Sequence, residues 1–373
     1  TQFPDEVEAG TFYALSLVAL ADEDVDTMAN LQKAIGVLSP LFEKYPDHPG
    51  AAHYLIHATD KPGLAPQGLA AARRYAAIAP DSPHAIHMPS HIFVRLGLWQ
   101  DSIGSNIASS ASAGRAAEMH KAESHYQTHA MDFLNYSYLQ SGQGAKAREV
   151  IGHMDHVVGA NDEVRANHRA YLAARTALEL HRWKEAAGLS NAGVGKDSLD
   201  SVQWANAIGA ARSGDVAEAE SAVKELTKSV AEREEKARTD GYEVSTEKAT
   251  DLREAEAWLA FAQGKTEQAL EELRAAVAHQ EKNGGESVII PAREMLADML
   301  TELKRPADAL AEYKIVLKDA PNRFDALLGA GRAAQVAGDT TGAQVFYAKL
   351  TEVCSAGADR PELADVKTFL AQK

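Results

Sequence analysis

Histidine is the residue in this chain whose numbers and spacing suggest chemistry. Thirteen of the fourteen histidines lie between residues 48 and 181, and only His279 lies outside. Three H-x-x-x-H pairs occur, His53/His57, His87/His91 and His125/His129. Composition alone would supply roughly half of one such pair. On a helix, residues four apart share a face, and two neutral imidazoles so placed can aim their ring nitrogens at one metal ion. The octapeptide HYLIHATD at 53–60 returns as HYQTHAMD at 125–132, with HAIHMPSHIF at 84–93 between them.

Turn residues between helices, read at Gly63, Gly97, Gly142 and His181, give a register independent of chain numbering. His53 and His87 each lie ten residues before their turn, and His57 and His91 each lie six before. His84, His129 and His168 each lie thirteen before theirs, and Asp132 takes the ten-before place in the unit of His129. These offsets differ by three and four, so the eight side chains share one face of the first helix of each unit. His125 falls one further turn towards its helix start. The register mate of HYLIH is therefore HMPSH at 87–91, not the more similar HYQTH.

Two ligand sets follow. His53, His57, His87 and His91 can form a four-nitrogen site, and His84, His129, Asp132 and His168 a nitrogen and oxygen site. Ligands without cysteine suit a divalent transition metal, Zn, Cu, Ni or non-haem Fe. Tyr54, Arg95, His125, Tyr126 and Tyr136 stand where they can support the ligands. Met88, Met119 and Met131 would matter for copper, although methionine in a helix is ordinarily core. Pro89, inside HMPSH, bends its helix and re-aims the rings on either side. The rival readings are a peptide-binding groove that gains positive charge below about pH 6.5, and structural repetition alone. His48, His153, His156, His181 and His279 read as structural.

The chain has 373 residues and a formal net charge of −15, which argues against nucleic-acid binding, since phosphates demand a concentrated basic surface. No apolar run is long enough to span a membrane. The one cysteine, Cys354, permits neither an internal disulfide nor a thiolate cage. No H-E-x-x-H, G-x-S-x-G or C-x-x-C-H occurs, so catalytic residues are unassigned. In an enzyme, the metal would activate water or dioxygen.

The elements that must position these side chains are helices. Alanine is abundant and β-branched runs are sparse, which favours helix throughout. Ala309 and Ala343 are 34 residues apart, as are Tyr313 and Tyr347, with Gly338 between helices and Pro321 between repeats. That pattern resembles the tetratricopeptide repeat (TPR). Phrases such as GKTEQALEELRAAV, GDVAEAESAVKEL and HRWKEAAGLS extend it back along the chain. The expected fold is all-α, a right-handed superhelical solenoid of about nine TPR-like helix pairs with a short cap around 360–371. The N-terminal repeats, 1–193, carry the histidine groove, and the C-terminal repeats, 194–373, continue the same solenoid. The charged stretch 224–256 reads as a lengthened, solvated helix pair. In TPR folds the first helices line the concave surface, so the resemblance implies that the eight side chains face one groove. Protein or peptide partners are expected, and two unlike open ends would allow self-association head to tail into filaments.

HPGAAHYLIHATD and APDSPHAIHMPSHIFVRLGLW are more specific than the repeat consensus. Over about 1–150 the chain is similar to a bacterial family of TPR proteins of unestablished function, whose members are longer at the N-terminus and often look exported. The resemblance implies a periplasmic or extracellular protein. The opening at Thr1, within a helix-starting phrase, reads as a processed or trimmed terminus.

Overall fold

The computed structural model describes residues 6–22, 27–119, 123–242, 244, 247–282 and 288–372. The opening residues 1–5, His120 and the tip of the charged stretch (243, 245 and 246) lie outside them. Every regular element among the described residues is helical. Those helices are α1 (Val7–Asp22), α2 (Thr27–Lys44), α3 (Pro49–Thr59), α4 (Ala65–Ile78), α5 (Pro83–His87), α6 (Pro89–Arg95) and α7 (Trp99–Glu118). They continue as α8 (His125–Gln140), α9 (Gly144–His153), α10 (Asp162–Glu179), α11 (Trp183–Ala187), α12 (Leu199–Ser213) and α13 (Val216–Thr239). The remainder are α14 (Thr250–Ala262), α15 (Thr266–Lys282), α16 (Ala292–Glu302), α17 (Pro306–Asp319), α18 (Phe324–Val336), α19 (Thr340–Val353) and α20 (Leu363–Ala371).

With α5 and α6 taken as one interrupted helix, α1 to α19 form nine successive pairs, and α20 follows as a cap. The turns are built as the spacing requires. Gly63, Gly97, Gly142, Gly214, Gly264 and Gly338 all take positive φ, where a Cβ is disfavoured. His181 (φ 52) and Lys304 (φ 57) hold the same place without glycine. His181 therefore sits in a turn, and it stacks on Trp183 at 5.0 Å.

Two compact units divide the chain, Thr1–Ser137 with Asp319–Pro321, and Tyr138–Lys318 with Asn322–Lys373. In the first unit, Leu55 and Ile56 of α3 pack with Ala72 and Tyr75 of α4 and with Ile92 and Phe93 of α6. Gly68 of α4 lies directly against Thr59 of α3, so the two helices close to backbone contact. Caps set where the helices begin. His48 Nδ1 accepts from Ala51 N at 3.1 Å and its Nε2 meets Glu8 at 3.0 Å, which makes this histidine structural. Ser82 caps α5, with Pro83 at its first position.

In the second unit, Ala309, Tyr313, Ala343 and Tyr347 are all buried. Each tyrosine ring lies close against a glycine of α18, Tyr313 against Gly329 and Tyr347 against Gly331, with no room for a Cβ between them. This is the small-against-aromatic pattern of the repeat.

A linear repeat array brings each repeat against its neighbours only. The second unit does more, because its last repeats return to its first residues. Phe324 N donates to Gln140 Oε1 at 3.1 Å, and Asp359 N to Gly142 O at 3.0 Å. The Asp359 carboxylate accepts from Gly144 N (2.8 Å) and Ala145 N (2.6 Å), so it caps α9 across the sequence. Between these ends Arg323, 1 % exposed, pairs with Glu179 at 2.8 Å and Glu294 at 2.7 Å, while Arg360 holds Asp325 at 3.0 Å. Among the described residues no helix is long and apolar enough to cross a membrane.

Candidate metal centre

Six imidazoles of the first unit form a continuous run. Ring centroids lie 5.0 Å apart between His84 and His53, 4.7 Å between His53 and His57, and 6.5 Å between His57 and His91. The run continues at 5.0 Å from His91 to His87 and 4.5 Å from His87 to His129. Helices α3, α5, α6 and α8 each contribute, all being first helices of successive pairs. This is the shared face that the turn register predicts.

The run divides into two triads, His53/His57/His84 and His87/His91/His129, in each of which one ligand atom per residue lies within 4.8 Å of the others. The partition groups the side chains differently from the expected ligand sets. His84 stands with the pair on α3, and His129 with the pair on α5 and α6. His168 lies on α10, in the second unit, and belongs to neither triad. Asp132 stands one turn beyond His129 on α8, and its charge favours the protonated form of that ring.

The second triad is the more completely built. The α5–α6 helix is interrupted for one residue at Met88, before Pro89, and across that break His87 Nε2 meets His91 Nε2 at 3.1 Å. Asn106 of α7 donates through Nδ2 to Ser102 O at 2.8 Å, which fixes its amide orientation. Its Oδ1 therefore accepts from His87 Nδ1 at 2.7 Å. Asp60, beyond the end of α3, accepts from His91 Nδ1 at 2.9 Å and from Arg95 Nε at 2.8 Å. Both Nδ1 atoms thus carry protons, and both Nε2 lone pairs face each other. Such an arrangement needs a cation or a shared proton between the nitrogens. Two ligands of a tetrahedral zinc with bonds of about 2.05 Å stand about 3.3 Å apart, close to the separation seen. Phe133 packs on all three rings at 4.8, 4.8 and 5.2 Å, and His87 is only 3 % exposed.

In the first triad, His53 Nε2 lies 3.1 Å from both His57 Nε2 and His84 Nε2. Tyr75 stacks on His53 at 5.3 Å and Tyr54 at 5.2 Å, while Tyr126 meets His84 edge-on at 6.0 Å. His57 is the exposed member of this triad, as His129 is of the other. His125 is not part of either triad; it lies against Tyr126 at 4.0 Å and Glu123 at 3.3 Å. Tyr136 packs on Trp99 at 5.9 Å. Met88 and Met131 are core residues, and Met119 is exposed.

Electrostatics favour neutral rings. Burial, followed by the neighbouring histidines, lowers His53 to about 3. His57 and His129 fall to about 4 for the same first reason, and His91 adds to each shift. His87 is driven well below its ordinary value by burial. These shifts disfavour the charged forms of His53, His57, His84, His87 and His129, against the charging that a groove active below about pH 6.5 requires. Neutral imidazole is the metal-binding form. Asp60 is held well below the carboxylate range: burial alone would raise it, but His91 and Arg95 outweigh that effect.

Asp60 and Asn106 escaped the sequence reading. Asp60 closes the HYLIHATD motif, but it lies past the helix end, off the histidine periodicity. Asn106 sits on a second helix, where the register of first helices gives no signal. A further carboxylate group, Glu179, Glu294 and Asp325, lies together in the second unit. Arg323 and Arg360 already neutralise it.

The fold and site define an all-α protein of TPR-like helix pairs that carries a clustered imidazole face. No family model matches the chain, and no curated protein matches it. Among solved structures it is similar to a tetratricopeptide repeat protein from Parabacteroides merdae ATCC 43184. The identity is 13 % and the TM-score 0.39, covering 77 % of this chain and 97 % of that one.

Proposed function

We propose that the protein is a TPR-like scaffold that binds a divalent transition metal, with His87, His91 and His129 as the principal ligands. One observation carries this reading. His87 and His91 have their Nδ1 protons committed to Asn106 and Asp60, and their Nε2 lone pairs face each other at 3.1 Å. Metal-ligating histidines characteristically donate the other ring N–H to a carboxylate or amide oxygen, which fixes tautomer and orientation. Three nitrogen ligands and no thiolate suit Zn, Cu(II), Ni or non-haem Fe. A three-histidine ion with an open position is also the arrangement that activates water in enzymes.

The test is elemental analysis of chain purified without chelators, beside the double variant His87→Ala/His91→Ala. At least one tightly held ion per chain is expected, and that tight ion is lost in the variant while the helical circular dichroism stays as in the wild type. Metal-free native protein that also fails to take up added zinc or cobalt would sink the reading. The alternative is a metal-free adaptor, since stacked repeats create extended binding surfaces for protein or peptide partners. In that case the variant changes partner capture and leaves metal at background.

A further inference from the structure

The His53/His57/His84 triad is built differently from its neighbour. Its Nε2 atoms converge as closely, at 3.1 Å on both measured edges. Yet among the described residues no carboxylate or amide engages its Nδ1 atoms in the way that Asp60 and Asn106 engage His91 and His87. Each triad has one exposed ligand, His57 here and His129 there, but only the other triad contains a fully buried one, His87, while His53 and His84 are half-buried. The remaining walls are aromatic, with Tyr54 and Tyr75 on His53 and Tyr126 on His84.

These differences have chemical consequences. Three neutral imidazoles leave the full double charge of a divalent ion uncompensated. At the His87/His91/His129 triad, Asp60 shares its charge through a hydrogen bond to His91, and Asp132 stands near His129. Among the described residues no carboxylate is hydrogen-bonded to the His53/His57/His84 triad, where Asp60 acts on His57 only through space, so charge balance there favours an anion from solution. Ligands without fixed partners hold an ion less tightly, because the rings must be ordered on binding. No member of this triad is fully buried, which leaves a coordination position reachable from water, as in three-histidine catalytic sites.

We propose that His53, His57 and His84 form a second, exchangeable metal site whose open position takes a small anion as fourth ligand. This rests on the reading that the His87/His91/His129 triad holds the first ion. The chain then carries two ions of unequal affinity, linked through His57 and His91, whose rings stand 6.5 Å apart. The ion on the hydrogen-bonded histidines is anchored, and the other meets the ligand.

Cobalt(II) titration of the full, metal-depleted chain, followed by calorimetry and visible absorption, tests the proposal with azide as the anion probe. Two equivalents are expected in the wild type, the weaker one responding to azide. His53→Ala/His57→Ala should keep one tight equivalent and lose the azide response. His87→Ala/His91→Ala should lose the tight equivalent and keep that response. The milder His57→Asn, at an exposed position, should weaken the second equivalent by about tenfold or more, so the test stands even if a double variant misfolds. A single wild-type equivalent, unchanged by altering His53 and His57, overturns the second site and leaves the His87/His91/His129 site standing. Two equivalents without any azide response overturn the anion ligand. Absence of binding overturns both sites.

Discussion

His91 donates its Nδ1 proton to Asp60 at 2.9 Å, and Arg95 donates to the other oxygen of the same carboxylate at 2.8 Å. The aspartate lies just beyond α3, so one helix pair supplies the partner that orients a histidine belonging to the next. On the proposed reading Asp60 acts on the metal without touching it. Asp60→Ala should weaken metal binding at the His87/His91/His129 triad by about 10–100-fold, measured by competition against a chelator of known affinity. Arg95→Ala, which only loosens the carboxylate, should have a smaller effect in the same direction. Unchanged affinity in Asp60→Ala would show that His91 is not a ligand.

Acid should destabilise the metal-free protein well before ordinary carboxylates titrate. His53 is lowered to about 3 and His57 and His129 to about 4, chiefly by burial, whereas unfolded histidine titrates near 6.5. Between those values the unfolded chain binds protons that the folded chain does not, so stability rises with pH across the window. On acidification it is lost progressively from about pH 6.5 down to the folded values. Thermal midpoints of chelator-treated protein between pH 7 and 4 give the slope. His53→Gln/His57→Asn should flatten it, and an equal slope in that variant would contradict the assignment.

Arg323 is buried between Glu179 and Glu294, and it is the cation that both carboxyl groups share. Arg323→Ala removes that cation from two buried acids and should cost about 3–5 kcal/mol, read from urea denaturation of the full chain. Lysine should not restore the loss, because Arg323 contacts Glu294 through both Nε and Nη2, a fork that an ammonium lacks. Wild-type stability in the lysine variant would mean that charge alone suffices.

Gly329 supports the face of Tyr313, and an added Cβ would run into that ring. Gly329→Ala should cost about 1–3 kcal/mol through overpacking, although alanine is the better helix former. Gly36, where a Cβ meets nothing within 4 Å, is the control. Gly36→Ala should be neutral or stabilising in the same denaturation experiment.

Much of the architecture is legible because it is written locally. Gly63, Gly97 and Gly142 mark turns by a conformation that few other residues accept, and the helical period carries their register back to His53, His57, His84, His87, His91 and His129. All six fall on the shared face. His125, one turn too early in its unit, falls outside the triads although its octapeptide repeats that of His53. The resemblance of HYLIHATD to HYQTHAMD is therefore a poorer guide than the offset from the turn.

What stayed hidden is non-local. The partition of six rings into two triads depends on how closely α3, α5, α6 and α8 approach and on the one-residue break at Met88, neither of which periodicity encodes. Asp60 and Asn106 become partners of His91 and His87 only once α3 and α7 are packed beside them. The return of Phe324 and Asp359 to Gln140 and Gly142 likewise joins residues more than 180 positions apart. By itself, the sequence determined the helix pairs, their turns and the face on which the histidines lie, since each depends on the geometry of a dozen or so neighbouring residues. Only the tertiary structure decided which rings meet and which protons their partners hold, because those depend on packing between helices.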